Sequence, residues 1–252
     1  MENIKAFLDF KVDQFNVPSF IEEDPISIPH QFHRREDREI SGFLTATISW
    51  GQRKAIIKNA QKMMRILGES PYDYVMSVSE AQLERTEFVH RTFQSEDFRY
   101  FVRALRHLYA NHGGLLPIFE TYAVADSLQP AIAAFRTLFF SLDHPARTRK
   151  HLSNPQKGSP AKRINMMLRW FVRKDDRGVD LGIWNHRLKP SQLSLPLDVH
   201  TANISRKLQI LRRSKNDSKA VHEIDSVLRS FDSMDPVKYD FALFGLGAME
   251  RF

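Results

Sequence analysis

The sequence contains no cysteine, and it has no long apolar run. The absence of cysteine excludes disulfides, cysteine-ligated zinc sites and cysteine-bound iron–sulfur clusters. Apolar runs such as Leu138–Phe140 are far shorter than the ~20 residues that a membrane-spanning helix needs. The N-terminal segment MENIKAFLDFKV has charges spaced through it, unlike a secretory signal. We therefore expect a cytoplasmic protein without a membrane segment.

The composition is that of an ordinary globular protein. The 252 residues are 42% hydrophobic and 27% charged, and the length suits about one large or two small domains. The net charge of +7 hides an asymmetry, because residues 144–220 carry 18 Lys and Arg against 5 Asp and Glu, whereas the remainder carries 19 against 25. Such a concentration of positive charge suggests a polyanionic partner, and a solvated basic face is the alternative.

Apolar residues recur with a helical period along most of the chain. Stripes at i, i+3 and i+4 predict helices in nine segments, beginning near Ile4, Arg35, Arg53, Phe98, Leu128, Ile164, Val199, Val221 and Val237. No period-2 run of β-branched residues predicts a strand. The expected fold class is all-α, with about ten helices.

Neither an internal repeat nor a Gly/Ser-rich linker divides the chain. Any second domain must therefore be interleaved with the first. We expect residues 1–252 to form one helical unit of two lobes with a cleft between them.

The most informative segment spans residues 146–174, ARTRKHLSNPQKGSPAKRINMMLRWFVRK. Asn154–Gly158 interrupts a short basic helix, and Ser159 can then cap a second helix that has Pro160 at its first position. The predicted helical hairpin has a turn that can present backbone N–H groups to phosphate, with charge added by Lys157, Lys162 and Arg163.

Lys162 is the candidate nucleophile of this hairpin. It falls in the first turn of the second helix, where the helix dipole and its basic neighbours disfavour the protonated amine. An uncharged lysine can form a Schiff base with a sugar carbon. The alternative is a lysine that contacts phosphate or is simply exposed.

A second segment, Ser194–Leu211, places Asp198 immediately before an amphipathic helix, with His200 two residues later. By itself, Asp198 is most simply interpreted as a helix N-cap and His200 as a polar residue of the first turn.

Taken together, the two segments resemble the helix-hairpin-helix DNA glycosylase superfamily. Gly158 and Lys162 in GSPAK match the turn glycine and lysine of its GxGxK pattern, and Asp198 and His200 in LDVH match its Asp-x-His step. The final segment, Tyr239–Gly247, is similar to the last helix of the small archaeal and thermophilic 8-oxoguanine glycosylase-lyases. The whole chain also closely resembles an uncharacterised bacterial family, domain of unknown function 2400.

The resemblance implies a base-excision repair glycosylase with AP-lyase activity on oxidised purines. Lys162 would attack the sugar carbon that bears the damaged base, and Asp198 would stabilise the positive charge that develops on the sugar. Gln52 lies one position from the residue that fills the gap left by an extruded base. With the resemblance, we expect nucleic-acid contacts at Gln52, Arg53, Lys157, Gly158, Ser159, Arg163 and His200.

The extruded base needs aromatic side chains on which to stack. The candidates are Trp50, Trp170, Phe171 and Trp184, although Trp170 and Phe171 have the helical spacing of core residues.

The sequence also departs from the superfamily pattern. Pro160 replaces the second turn glycine and removes one N–H donor, and 35 residues separate Lys162 from Asp198. The lack of cysteine excludes the subgroup that carries an iron–sulfur cluster.

No cofactor or metal ion is expected. The sequence has no Walker loop, dinucleotide fingerprint or HExxH motif. His30 and His33, and the pair Asp175–Asp176, are interpreted as surface residues. The expected partner is DNA, with RNA left open, and a non-catalytic nucleic-acid-binding protein or an interaction protein are the alternative functions.

Overall fold

The computed structural model describes residues 2–250 and residue 252. Over these residues the chain forms α-helices, short 3-10 helices and loops, with two isolated β-bridges and no strand. The α-helices are α1 (Glu2–Phe15), α2 (Ser19–Glu22), α3 (Arg35–Thr47), α4 (Arg53–Leu67), α5 (Pro71–Ser77), α6 (Glu80–Arg85), α7 (Ser95–His112), α8 (Leu115–Tyr122), α9 (Gln129–Phe139), α10 (Lys162–Val172), α11 (Val199–Lys207), α12 (Ser218–Phe231) and α13 (Tyr239–Ala248). The all-α fold class predicted from the sequence is confirmed.

Periodicity missed four short helices, and local capping starts two of them, α5 and α6. Ser70 accepts a hydrogen bond from the backbone N–H of Asp73 at the start of α5, which has Pro71 at its first position. Ser79 and Gln82 form a capping box at the start of α6. Helices of six or seven residues are too short to show an apolar stripe. The capping residues are therefore the feature of the sequence that indicates where these helices begin.

The larger of two main hydrophobic cores surrounds α3 and takes most of its residues from the segment between α3 and α10. The Phe43 ring of α3 lies between 5.4 and 5.7 Å from the rings of Phe101, Phe135 and Phe139, measured between centroids. A side chain on Gly42 would come within 2.6 Å of the Phe171 ring. Glycine at this position therefore allows α3 and α10 to pack closely.

The second main core joins the two ends of the chain. It is built from the buried faces of α1, α11, α12 and α13, with residues such as Leu8, Ile204, Leu228 and Leu243. Helix α1 packs along α13, so the N-terminal helix completes a core made mainly by the last 60 or so residues.

A buried ionic network connects the helices of the two cores. Arg169 of α10 donates hydrogen bonds to Asp240 of α13 and to Asp180 of the following loop, the latter at 3.2 Å. Arg173 reaches Asp180 at 3.1 Å and Asp235 at 2.9 Å. Because charges taken out of water must be paired, this network fixes α10 relative to α13.

No helix within residues 2–250 is both long enough and apolar enough to cross a membrane.

Candidate functional site

A cavity of about 760 Å³ opens where several helices begin. Its wall includes the segment Ser49–Arg53 before and at the start of α4, the first turns of α10 and α11, and the face of α13 that carries Asp240 and Phe244. Asp24 and Pro25 line it from the connection between α2 and α3. Residues of both main cores therefore border the cavity.

The structure brings six of the nine predicted site residues to this cavity. They are Gln52, Arg53, Lys162, Arg163, Asp198 and His200. The other three, Lys157, Gly158 and Ser159, belong to the turn that precedes Pro160, which itself lines the cavity. The two segments singled out in the sequence thus meet, although 35 residues separate Lys162 from Asp198.

Lys162 is the first residue of α10 and is partly buried in the cavity wall. Its Nζ lies 3.5 Å from the sulfur of Met166, one turn along the helix. Among residues 2–250 and 252, no carboxylate forms a salt bridge with this amine. The amine therefore faces a cavity without a fixed counter-ion.

The residue before Lys162 has an unusual backbone conformation. Ala161 is fully buried and has φ +46°, a left-handed conformation that non-glycine residues rarely adopt. The side chain of Asn165 donates a hydrogen bond to the Pro160 carbonyl and so holds this bend from the helix side. The strained residue directs the chain into α10 at the position of Lys162, and strain of this kind is typical of functional sites.

The hairpin prediction was wrong in its local details. Ser159 does not cap a helix that starts at Pro160, because α10 begins two residues later and the Ser159 hydroxyl accepts from the backbone N–H of Ala161 instead. The first arm, Ala146–His151, is a 3-10 helix. The buried left-handed Ala161 interrupts the helix that the sequence pattern extended back to Pro160.

The turn itself is exposed and rests on another element. Gly158 has φ +84°, which favours glycine, and a Cβ at this position would meet no atom within 4 Å. Its carbonyl accepts a hydrogen bond from the backbone N–H of Ser218, at the start of α12. Lys157 is exposed beside it. The turn is therefore anchored on one side and open to solvent on the other.

Asp198 caps α11, as the simplest interpretation of the sequence expects. Its Oδ1 accepts hydrogen bonds from the backbone N–H of Thr201 at 2.9 Å and from the Thr201 hydroxyl at 2.8 Å. Within the described part of the chain, no hydrogen bond engages Oδ2. One carboxylate oxygen of Asp198 therefore caps α11, and the other has no hydrogen-bond partner there in a residue that lines the cavity. His200, in the same first turn, is exposed.

Two further carboxyl groups line the cavity, and sequence reasoning missed both. Asp240 and Asp24 are 5% and 7% exposed. Burial raises the pKa of Asp240 to about 6. The positive charges of Arg169 and Lys162 oppose this shift, and the negative charge of Asp198 adds to it. The charges of Lys162 and Asp198 therefore both act on Asp240.

Asp24 has a similar environment. Burial raises its pKa, while the charges of Arg169, Arg53 and Lys162 oppose the shift. One Asp24 oxygen accepts the backbone N–H of Ile26 at 3.0 Å. No motif marks either acid, because each becomes a cavity residue through the packing of distant segments.

Trp50 forms an aromatic part of the cavity wall. The guanidinium carbon of Arg163 lies 4.9 Å from the centre of its ring, and the imidazoles of His151 and His90 contact the same ring at centroid distances of 5.9 and 5.0 Å. Arg163 also donates a hydrogen bond to the Thr47 carbonyl, and burial lowers its pKa to about 10. The Arg163 guanidinium thus has partners within the protein. Its predicted contact with nucleic acid stays a prediction.

Three of the four aromatic candidates for base stacking are core residues instead. Trp170, Phe171 and Trp184 are completely buried. The Trp184 indole donates to the carboxylate of Glu39 at 2.8 Å. Trp50 is partly exposed and lines the cavity, so it remains a candidate for base stacking. Phe244, which lies beneath the guanidinium of Arg53, is a second aromatic ring in the cavity wall.

The residues that the structure describes contain no group of three or more His, Asp or Glu side chains arranged to hold a metal ion. The Nε2 of His30 lies 2.8 Å from the carbonyl oxygen of Val179, and Asp175 pairs with Arg173 at 2.7 Å. Neither His30 nor Asp175 lines the cavity.

Among curated proteins and solved structures, none is significantly similar to the chain. A family model described as "Protein of unknown function (DUF2400)" matches residues 24–249. The matched range contains Lys162, Asp198, Asp240 and every other residue of the cavity wall except Phe20. The chain belongs to the DUF2400 family.

Proposed function

We propose that this protein is a DNA base-excision repair glycosylase with AP-lyase activity, in which Lys162 is the nucleophile and Asp198 the catalytic carboxylate. The observation that carries the proposal is that both residues line one cavity, together with the buried carboxyl group of Asp240. Lys162 lies at the start of α10 and Asp198 immediately before α11, as the resemblance to the helix-hairpin-helix glycosylases implies.

The proposal includes the finer architecture of that superfamily. The two main cores would belong to two lobes, with the cavity as the cleft between them. Residues 146–174 would serve as the helix-hairpin-helix, with the exposed turn at Gly158 contacting a DNA phosphate. The hydrogen bond from Ser218 to the Gly158 carbonyl supports a fixed turn, and the neighbouring Lys157 supplies positive charge.

The cavity suits an extruded base. Enzymes that act on a base in duplex DNA must first flip it out of the stack, at a cost of a few kcal/mol. Trp50, Met166 and Phe244 offer apolar surfaces for the planar ring, and the carboxyl groups of Asp24 and Asp240 offer hydrogen-bond partners for its polar edge. A volume of about 760 Å³ leaves room for a nucleoside.

The chemistry begins with Lys162 as the free amine. Its Nζ lone pair attacks C1′ of the damaged nucleoside, the glycosidic bond breaks, and the base leaves with the bonding electrons and takes up a proton. The Asp198 carboxylate would stabilise the positive charge that develops on the sugar. Loss of a proton from nitrogen and opening of the sugar give a Schiff base, from which removal of a C2′ proton expels the 3′-phosphate.

A non-catalytic nucleic-acid-binding protein is the second candidate. Residues 144–220 carry 18 basic and 5 acidic side chains, and this positive charge supports a binding protein as well as an enzyme. The same charge would suit either DNA or RNA. Only chemistry at Lys162 separates the two functions.

Borohydride trapping tests the proposal. Purified protein is incubated with duplex DNA that carries an abasic site or 8-oxoguanine, and reduction fixes any Schiff base as a covalent adduct. We expect an adduct that is lost in Lys162→Gln and greatly reduced on the oxidised base in Asp198→Asn. Lys189→Gln is the matched control, since it removes an exposed lysine that neither lines the cavity nor belongs to the predicted site, and it should retain the adduct. Salt-sensitive binding without any adduct would favour the non-catalytic alternative.

A further inference from the structure

Helix α4 presents a basic stripe to solvent, formed by Lys54, Lys58, Lys62 and Arg65. All four side chains are exposed, and their spacing of four, four and three residues keeps them on one side of the helix. The opposite side is buried in the larger core through Ala60, Met63, Met64 and Leu67. The stripe lies outside the basic segment of residues 144–220, in the part of the sequence that is acidic as a whole.

The stripe opposes the stability of its own helix. Lys54 and Lys58, and Lys58 and Lys62, are like-charge pairs at i and i+4, which destabilise a helix. No acidic residue occurs in the first turn of α4, and Arg53 and Lys54 stand there instead, where the helix dipole favours negative charge. Helix stability therefore does not explain this arrangement.

Within the described residues, none of the four cations of the stripe forms a salt bridge. Some other surface arginines are paired: Arg103 with Glu80 and Glu84, and Arg213 with Asp217. The stripe is consequently a surface of uncompensated positive charge, with lysine heads free to contact an anion.

The stripe begins at the cavity. Gln52, Arg53 and Ile56 line the cavity wall, so the stripe starts beside the cavity at Lys54 and extends about 16 Å along the helix to Arg65. Successive phosphates of one DNA strand are spaced by about 3.4 Å along the duplex axis, so a stripe of this length can face several of them.

We propose that the basic stripe of α4 is a second phosphate-binding surface, in addition to the Gly158 turn, which holds the DNA backbone beside the cavity. The identity of the partner rests on the proposed function, because the cavity at the end of the stripe contains Lys162 and Asp198. The stripe contributes binding and orientation of the duplex, and it takes no part in bond breaking.

The test compares two triple variants that lose the same charge. Lys54→Gln/Lys58→Gln/Lys62→Gln removes three of the four charges of the stripe and keeps good helix formers on α4. Arg85→Gln/Lys189→Gln/Arg212→Gln removes three exposed cations that do not line the cavity, lie outside the proposed hairpin and form no salt bridge in the described structure. Binding of an undamaged duplex is measured from 50 to 200 mM salt, together with borohydride trapping on abasic DNA at saturating concentrations.

The slope of log K against log salt changes by about 0.9 for each phosphate that the protein no longer neutralises. We expect the stripe variant to bind more than tenfold more weakly at 50 mM salt, with the slope reduced by about 2–3, while the control triple retains the wild-type slope. Trapping at saturating DNA should be unchanged in the stripe variant, since Lys162 is intact.

Equal binding by wild type and stripe variant, or an equal loss in both triples, would overturn the proposal. A wild type that binds anionic vesicles but no nucleic acid would also overturn it. If the wild type gives no adduct but its salt-dependent DNA binding still needs the stripe, the surface stands and the enzymatic function fails, so the two failures can be told apart.

Discussion

The guanidinium of Arg163 lies over the indole of Trp50, with its central carbon 4.9 Å from the ring centre. The same ring stacks against the imidazole of His151, which is 3.2 Å from the carboxylate of Asp97. The contacts hold Trp50 in one orientation at the cavity wall. The part of Trp50 that faces the cavity is therefore preorganised for contact with a base, because little rotamer freedom remains to be lost on binding.

Replacing Trp50 should therefore separate base recognition from chemistry. On the proposed glycosylase function, we expect Trp50→Ala to lower excision of 8-oxoguanine by about 5- to 150-fold, since loss of base stacking costs about 1–3 kcal/mol. Schiff-base trapping on abasic DNA should fall much less, because no base needs to be bound. Single-turnover rates on the two substrates measure the difference, and Trp50→Phe serves as the control that keeps a ring. Equal losses on both substrates would place Trp50 outside base recognition.

The fold class and part of the site were predictable because they depend on local pattern. The stripes of apolar residues predict nine of the helices, and the two segments around Lys162 and Asp198 stand out in the sequence by their residue patterns alone. Their meeting at one cavity was implied by the family resemblance. The physical cause of this meeting includes the buried ionic network that joins α10 to α13. The periodicity of the sequence does not reveal such a network.

Asp24 and Asp240 illustrate what local pattern does not contain. Asp240 lies in an apolar helix, where a single acid looks like a surface residue, and Asp24 precedes a proline in an irregular connection. Both line the cavity through the packing of distant segments, where Arg169 forms an ion pair with Asp240 and its charge acts on Asp24. Trp184 shows the reverse error: an aromatic residue in a long loop suggests a ligand contact, yet its indole is bonded to buried Glu39.

The titration of Asp240 should report the proximity of Lys162 and Asp198 without any measurement of activity. Its pKa is raised to about 6 by burial, with the Asp198 charge adding to the shift and the Lys162 charge opposing it. We therefore expect Asp198→Asn to lower the pKa of Asp240 and Lys162→Gln to raise it. The carboxyl carbon resonance of Asp240, followed by NMR from pH 4 to 8, gives both values.

Lys157→Gln is the matched control for this titration, because it removes an exposed charge outside the cavity wall. It should leave the Asp240 midpoint close to that of the wild type. Shifts of the same sign in the Asp198 and Lys162 variants would contradict the arrangement of charges described for the cavity.

Arg169 should be the most sensitive position of the ionic network. It is 4% exposed and contacts Asp180 and Asp240, so Arg169→Met leaves two buried carboxylates without this partner. We expect the free energy of unfolding to fall by about 3–5 kcal/mol, measured by urea denaturation. The double variant Arg169→Met/Asp240→Asn should recover part of the loss, because one unpaired charge is removed. A double variant less stable than the single one would argue against the pairing.

Asp225, away from the cavity, should make stability depend on pH. It is buried in the second core, where its Oδ1 accepts the backbone N–H of Leu195 at 2.9 Å, and burial raises its pKa to about 6 from the ordinary 3.8. Between these two values the folded protein binds more protons than the unfolded chain, so the contribution of Asp225 to stability falls as pH rises from about 4 to 6 and is constant above.

Asp225→Asn keeps an oxygen that can accept from Leu195 but cannot ionise, so this part of the pH dependence should disappear. We expect the stability of the variant relative to the wild type to be greater at pH 8 than at pH 4 by about 2–3 kcal/mol, as a pKa shift of roughly two units implies. Urea denaturation at five pH values measures the difference, and taking it between variant and wild type cancels the contribution of Asp240, which titrates over the same range. A difference that stays constant from pH 4 to 8 would mean that Asp225 is as easily ionised in the folded protein as in the unfolded chain.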